Sequence, residues 1–351
     1  MRRFLRRDVE VTTEPAPAPE PGRGRGRVDH VVILDGTLSS LEPGQVGNAG
    51  LLFQLLQSMG PTANRRLYYE PGMQWEGWLR GLALIEGRGV SPQIRRAYGW
   101  LASGYREGDR IFLFGYSRGA FAVRSLAGVI DRVGLLKREH ATERAVTLAW
   151  RHYERAPHSR AAQAFARRFC HAEAPIEMVG VWDTVKALGL RLPFFWLFSA
   201  DRYAFHSHHL GASVRHGFHA LALHETRMAF EPVLWECPPG WEGNVEQVWF
   251  RGAHGDIGGQ IGGLEAARRL SNLPLVWMLE RVEALDLALP EAWRARYPCD
   301  PEAPMVGTWR HWGKAFLWRR RRVIGRDRSE RLHPTAMKAA AGRWPSGVPA
   351  E

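Results

Sequence analysis

The chain has 351 residues, 45% of them hydrophobic, so it is long enough to bury a large core in one large domain. Its three cysteines, Cys170, Cys237 and Cys299, lie far apart and form no C-x-x-C pair, which argues against a disulfide framework and a cysteine zinc site. The formal net charge of +12 is concentrated in residues 1–27 and 310–331. The remainder is close to neutral, which argues against a folded surface that binds nucleic acid specifically.

Residues 1–27 are rich in Arg, Pro, Ala, Glu and Gly and are predicted to form a disordered basic arm. They contain no apolar run suited to a signal peptide, so a cytoplasmic location is expected, with secretion by a signal-independent route as the alternative. The longest strongly apolar stretch, Leu192–Phe198, is far shorter than the ~20 residues that span a bilayer. It is predicted to be buried core of an inserted cap, and a lid that meets a lipid surface is the alternative.

The folded part is predicted to begin at Val28, because the apolar run Val31–Leu34 is stopped by Asp35-Gly36-Thr37, a pattern typical of a buried parallel strand that ends in a functional loop. The later predicted elements are a helix from about Gly50 to Ser58, an irregular insertion over 61–92, a helix from Gln93 to Tyr105, a strand at Ile111–Phe114, a helix from Ala120 to Ile130, helical spacing over 139–170, a strand from Ile176 to Val181, an insertion over 190–215, and a strand from Val245 to Phe250.

This alternation predicts an α/β fold of the α/β-hydrolase type, with a mostly parallel sheet, helices on both faces and inserted cap segments. The catalytic domain is expected to cover residues 28–335, and residues 336–351 are expected to form a tail. In such sheets the chemistry gathers at the carboxyl ends of the strands.

The most specific motif is Gly115-Tyr116-Ser117-Arg118-Gly119, which matches G-x-S-x-G between a predicted strand and a predicted helix. A tight strand-to-helix turn of this kind exposes the serine hydroxyl, and the helix N-terminus stabilises developing negative charge. The motif therefore predicts that Ser117 is a nucleophile. An ordinary loop serine is the alternative.

A serine nucleophile needs an adjacent base that is oriented by an acid, and α/β-hydrolases carry them in the order Ser, Asp or Glu, His. Asp183 follows the third predicted strand and is the expected acid, with a helix N-cap as its alternative role. His254 follows the fourth predicted strand in a glycine-rich loop, from which it can reach Ser117. Asp256 is the competing acid, but hydrogen bonds to its own loop are favoured for it.

Backbone N–H groups of the loop Asp35-Gly36-Thr37 and of Arg118 are the candidate oxyanion-binding groups, and an ordinary turn is the alternative for the loop. The cluster His206, His208 and His209 fits no firm pattern of metal ligands. No metal or other cofactor is predicted.

Further motifs accompany these residues along the chain: Gly115 to Phe121 with Arg124 and Leu126-Ala127-Gly128, Val179 to Val185, His219-Ala220-Leu221 to Arg227 with Phe230 and Pro232, His254 to Gly259, and Leu273 to Met278. Together with Asp35-Gly36-Thr37 they resemble the catalytic-domain family of type VI secretion phospholipase effectors over about residues 28–335. The resemblance implies an ester-hydrolysing triad at Ser117, Asp183 and His254.

Two positions depart from the family pattern. The family often has Asn where this chain has Ser39, and usually has an acid where this chain has His224, so a salt bridge in that motif is not implied here.

The expected reaction is acyl transfer through an acyl-Ser117 intermediate, on lipid or phospholipid acyl esters. Small soluble esters are the alternative substrates, and a non-catalytic binding protein that uses the basic segment 309–331 is the alternative outside enzymes. That segment holds Trp309, Trp312 and Trp318, for which peripheral membrane contact and packing onto the domain are the two interpretations. The sequence indicates no particular immunity or secretion partner.

Overall fold

A computed structural model describes residues 12–13, 26–74, 90–185, 210–237, 243–310, 313–314 and 316–337. The apolar stretch Leu192–Phe198, the histidines at 206, 208 and 209, and Trp312 lie outside these residues, as do most of the amino-terminal arm and most of the predicted tail.

An eight-stranded sheet runs through the described part of the chain. Its strands are β1 (Thr12–Thr13), β2 (Asp29–Leu34), β3 (Arg65–Glu70), β4 (Arg110–Tyr116), β5 (Ile176–Trp182), β6 (Val214–Ala222), β7 (Asn244–Phe250) and β8 (Glu330–Leu332). They lie in the order β1-β3-β2-β4-β5-β6-β7-β8, and every pair is parallel except β1 with β3. Parallel neighbours need crossover connections, so most loops that follow a strand meet at one edge of the sheet.

Helices cover both faces of this sheet. They are α1 (Asn48–Gln57), α2 (Val90–Gly104), α3 (Arg118–Val133), α4 (Glu143–Arg155), α5 (Arg160–Phe169), α6 (His254–Gly258) and α7 (Arg268–Ala284). Successive side chains of a strand point to opposite faces, and accordingly Val32 and Leu34 pack with α2 and α3 whereas Val31 and Ile33 pack with α1 and α7. No helix among the described residues is long and apolar enough to cross a bilayer.

The predicted fold class is confirmed: the strands and helices expected from the sequence are present, with ends that differ by a few residues, and the sheet is mostly parallel. The predicted division into domains stays a prediction.

The interpretation of residues 61–92 as an irregular insertion is wrong for β3, which lies inside the sheet next to β2. Its sequence RRLYYE hides the strand because it carries charged residues that are buried and paired. Glu70 is 2% exposed and accepts hydrogen bonds from the hydroxyl of Tyr68 and the guanidinium of Arg96. Buried charge is tolerated where it is paired in this way.

Strand β6 was also not predicted, and its first residues fall in the predicted 190–215 insertion. It contains His216 and His219 among its apolar residues. His219 is fully buried, and the N–H of Thr184 donates to its Nε2, which satisfies that buried atom. The short strands β1 and β8 were likewise not predicted, and β1 places Thr12–Thr13 of the expected disordered arm against β3.

Candidate active site

Three loops at the carboxyl edge of the sheet bring the predicted catalytic side chains together. Ser117 follows β4, Asp183 follows β5, and His254 opens α6 after β7. The Ser117 Oγ lies 2.9 Å from Nε2 of His254, and Nδ1 of the same ring lies 2.6 Å from Oδ2 of Asp183. All three side chains are buried at this edge.

The turn around Ser117 has the strained backbone that the G-x-S-x-G motif predicts. Ser117 has φ 56° and ψ −117°, outside the regions that residues with a side chain prefer. The flanking glycines permit close approach: a Cβ on Gly119 would lie 2.0 Å from the carbonyl oxygen of Leu34, and one on Gly115 would lie 2.5 Å from that of Gly119. The turn therefore holds the serine at the N-terminus of α3.

Asp183 is fully buried, and four donors surround its carboxylate. Oδ1 accepts the N–H of Ala222 at 3.0 Å and Nη1 of Arg322 at 2.6 Å, while Oδ2 faces His254 and accepts Nη2 of Arg322 at 2.9 Å. Burial alone would raise the pKa of Asp183, but the positive charge of Arg322 and the hydrogen bonds from His254 and Arg322 hold the pKa well below its usual value. The carboxylate is therefore ionised.

His254 is held between two aromatic rings and is poised to accept a proton. The ring centroids of Tyr116 and Phe230 lie 4.9 and 4.8 Å from that of His254. Burial lowers the pKa of His254, and the neighbouring Asp183 only partly opposes this effect. The imidazole is thus neutral at pH 7 and can act as a base toward the Ser117 hydroxyl.

A second buried acid, Glu225, lies beside the histidine backbone. Its Oε2 accepts the N–H of His254 at 3.2 Å, and its carboxylate forms a 2.6 Å ion pair with Arg227. The salt bridge in this motif is thus present although position 224 is not an acid. The His224 Nδ1 instead accepts the N–H of Gly252 at 3.1 Å.

The Asp35-Gly36-Thr37 loop lies against the turn that carries Ser117, but its N–H groups are not all available to a substrate. Asp35 is buried, its Oδ1 accepts the Gly36 N–H at 2.7 Å, and its Oδ2 accepts the Tyr69 hydroxyl at 2.8 Å. Burial raises the pKa of Asp35 to about 6. Among the described residues the N–H of Thr37 has no acceptor, and Arg118 contributes an N–H at the first turn of α3.

Asp256 lies two residues beyond the histidine and binds backbone rather than imidazole. Its carboxylate accepts the N–H groups of Ala253 at 2.8 Å, Val306 at 2.7 Å and Gly307 at 3.4 Å. These bonds fasten the His254 loop to residues 306–307.

Residues 29–281 match the family described as T6SS, Phospholipase effector Tle1-like, catalytic domain. The chain belongs to this family. An uncharacterized protein of Saccharomyces cerevisiae is 31% identical over a stretch that covers 46% of this chain and 27% of the yeast protein. The chain therefore spans only about a quarter of that relative.

Two solved structures are similar to this Tle1-like domain at low identity. The Tle1 effector bound to the VgrG spike of the type 6 secretion system is 19% identical, with 70% of this chain and 52% of that chain covered and a TM-score of 0.39. The apo form of Thermogutta terrifontis esterase 2 is 12% identical, with 80% and 91% covered and a TM-score of 0.41.

The sequence did not single out Arg322, which contacts the predicted acid. It lies in the 309–331 segment that was interpreted as basic surface, yet it is only 9% exposed and also donates to the carbonyl oxygens of Ala222 and Phe230. Arg322 is therefore not part of a basic surface. The sequence carries no signal for it: Arg322 ends a run of four arginines, and it is buried while the apolar Val323 beside it is exposed, the reverse of what polarity predicts.

Proposed function

We propose that this Tle1-like domain is a serine hydrolase that cleaves carboxylic esters through an acyl-Ser117 intermediate. The observation that carries the proposal is the continuous chain of short contacts from Ser117 Oγ through His254 to Asp183. Membership of a family of phospholipase effector domains supports the same chemistry. The strained turn adds weight, because a protein that only binds has no use for a serine held in that conformation against a buried imidazole.

In this mechanism His254 takes the Ser117 proton as the hydroxyl attacks the ester carbonyl, and then returns it to the leaving alcohol. Asp183 keeps Nδ1 of the imidazole protonated, so that Nε2 is the basic nitrogen. The N–H groups of Arg118 and Thr37, with the N-terminus of α3, are the groups proposed to stabilise the oxyanion. Water then attacks the acyl-enzyme by the same steps and releases the acid.

We place the substrates among the acyl esters of lipids or phospholipids, and a surface feature favours them over small soluble esters. Trp309, Leu317 and Trp318, which we call the aromatic strip, are 59%, 77% and 57% exposed. Their neighbour Phe316 packs 5.3 Å from Phe230, whose ring contacts His254. Exposed tryptophans suit the headgroup region of a membrane, so the strip would hold the site near a lipid surface.

Labelling with a fluorophosphonate probe tests the nucleophile. One site should be labelled, and Ser117→Ala should abolish both labelling and ester hydrolysis, because the hydroxyl forms the covalent bond. Ser103→Ala is the matched control, since Ser103 is an exposed serine on α2, and it should retain both. Labelling that persists in the Ser117→Ala protein overturns the assignment.

Product analysis by mass spectrometry then tests the substrate class. The pure protein is incubated with mixed phospholipids and, separately, with short soluble esters. Release of fatty acid and lysophospholipid supports the lipid proposal. Hydrolysis of the soluble esters alone supports the small-ester alternative.

A further inference from the structure

The buried side chain of Arg322 reaches the active site from a part of the chain remote from the catalytic loops. The segment that carries it runs beside the loop after β6, where the N–H of Arg320 donates to the carbonyl of Thr226 and the N–H of Met228 donates to that of Trp318. These backbone bonds fix the segment in place. They direct the guanidinium of Arg322 onto Asp183, which is 139 residues earlier in the sequence.

The contact is a two-pronged ion pair with both partners removed from water. The side chain of Arg322 is 5% exposed and that of Asp183 is fully buried. A planar guanidinium fork matches a carboxylate in geometry as well as charge, which a lysine ammonium cannot do. Burial of two charges is costly, and a pair of this kind is weak evidence of a purely stabilising role. Its position on the predicted catalytic acid points to a role in the reaction.

We propose that Arg322 is a positioning residue of the hydrolysis: its fork fixes the Asp183 carboxylate with Oδ2 toward His254 and offsets the carboxylate's negative charge. This inference rests on the proposed function. In an ordinary triad the lone carboxylate both orients the imidazole and stabilises its protonated form. Here Arg322 acts on the two effects in opposite directions. It strengthens the orientation of the imidazole by fixing the carboxylate, and it weakens the stabilisation of the imidazolium by offsetting the carboxylate's charge.

The charged groups around the imidazole determine how removal of Arg322 changes the protonation of His254. The groups that face His254 are Asp183 after β5, Glu225 and Arg227 after β6, and the uncharged hydroxyl of Tyr116 on β4. Glu225 and Arg227 largely cancel, since they form their own ion pair. Removal of Arg322 therefore leaves the Asp183 charge unopposed. An unopposed carboxylate favours imidazolium, so the base stays protonated up to a higher pH.

The test measures kcat and KM on a short soluble ester, and the rate of probe labelling at Ser117, between about pH 5 and 9. In Arg322→Met, kcat should fall about 10²-fold with little change in KM, because the acid loses its orientation. The acidic limb of the profile should move up by about one pH unit. Arg322→Lys keeps the charge but loses the fork, so the limb should stay in place while kcat recovers only in part.

The matched control is Arg110→Met. Arg110 forms the same two-pronged pair, with Asp29 at 2.7 and 2.9 Å, at the opposite end of the sheet from the site. Its loss should lower thermal stability and leave kcat and the pH profile unchanged. A shift of the acidic limb in this variant as well would mean that any loosening of the sheet produces the effect, and would overturn the proposal.

The outcomes separate the two proposals. If the parent protein is not labelled at Ser117, the proposed function fails. If the parent is labelled and folded Arg322→Met keeps the parental kcat and acidic limb, the positioning role alone is overturned. If Arg322→Met does not fold, Arg322→Lys decides, because a reduced kcat at an unchanged limb supports positioning. Failure of both variants to fold, as judged by circular dichroism, assigns Arg322 a structural role and overturns the proposal.

Discussion

Asp183→Asn should damage stability and activity by separate mechanisms. The substitution keeps the size of the side chain but removes the charge that both His254 and Arg322 face. Loss of the orienting charge should lower kcat by ~10³–10⁴-fold, as expected for a triad acid. The same change leaves the guanidinium of Arg322 buried without its counter-ion.

The cost in stability follows from the burial of this pair. Removing one partner of a buried ion pair typically costs about 3–5 kcal/mol, because the other charge is left in a poorly solvated site. At about 2 °C per kcal/mol, the lower end of the range for large domains, the melting temperature should fall by about 6–10 °C. The double variant Asp183→Asn with Arg322→Met should recover most of that loss, since it leaves no charge uncompensated.

Differential scanning calorimetry gives the stability of each variant, and steady-state hydrolysis of a soluble ester gives its activity. The expected pattern is that the double variant regains stability and stays as inactive as Asp183→Asn. The reasoning is refuted if Asp183→Asn melts at the parental temperature, because the pair would then not be desolvated. It is also refuted if the double variant is no more stable than Asp183→Asn.

Three further predictions concern the surroundings of the site. Asp256→Asn should weaken the hydrogen bonds that hold the His254 loop to residues 306–307 and lower kcat less than tenfold. A loss of ~10³-fold in kcat for Asp256→Asn, with none for Asp183→Asn, would transfer the role of acid to Asp256. Burial raises the pKa of Asp35 to about 6 from 3.8, so its contribution to folding is complete below about pH 4 and is lost as the pH rises through about 6. Urea unfolding should show a decline of up to about 3 kcal/mol over that window in the parent protein and none from this source in Asp35→Asn. On anionic vesicles, the double variant Leu317→Ser, Trp318→Ser should lose activity while its hydrolysis of a soluble ester stays parental. The control is Leu148→Ser, which replaces an exposed leucine on α4. Equal vesicle activity of the parent protein and both variants would leave the aromatic strip without a membrane role.

The candidate catalytic residues could be proposed from sequence because their signals are local. The G-x-S-x-G turn needs a glycine two residues before and two residues after the serine, because a Cβ at either position would clash with nearby backbone, and this steric demand is visible in five consecutive residues. Asp183 and His254 each follow a short apolar strand, so the rule that chemistry gathers at the carboxyl edge of a parallel sheet was sufficient to place them near Ser117.

The strands that escaped prediction share a different property. β3 opens with two arginines and ends at the buried Glu70, and β6 carries the buried His219, so neither strand forms the apolar run by which a buried strand is recognised. Their partners, such as Arg96 for Glu70 and the N–H of Thr184 for His219, are brought near only by the finished fold. A polarity pattern read along the chain cannot include a partner that lies on another element.

Partners that the sequence does not show also affect the proposed contact of the domain with a membrane. The sequence offers nine basic residues in 310–331, but Arg322 is buried on Asp183 and Arg319 donates to the carbonyl oxygens of Thr308 and Gly313. Exposed Arg320 is paired with Glu231 at 3.1 Å. At about 1 kcal/mol for each basic residue near an anionic surface, the electrostatic attraction must be weaker than the formal charge suggests. Contact through the exposed apolar side chains of the aromatic strip would then have to supply more of the binding, so added salt should reduce vesicle activity less than substitution of the strip does.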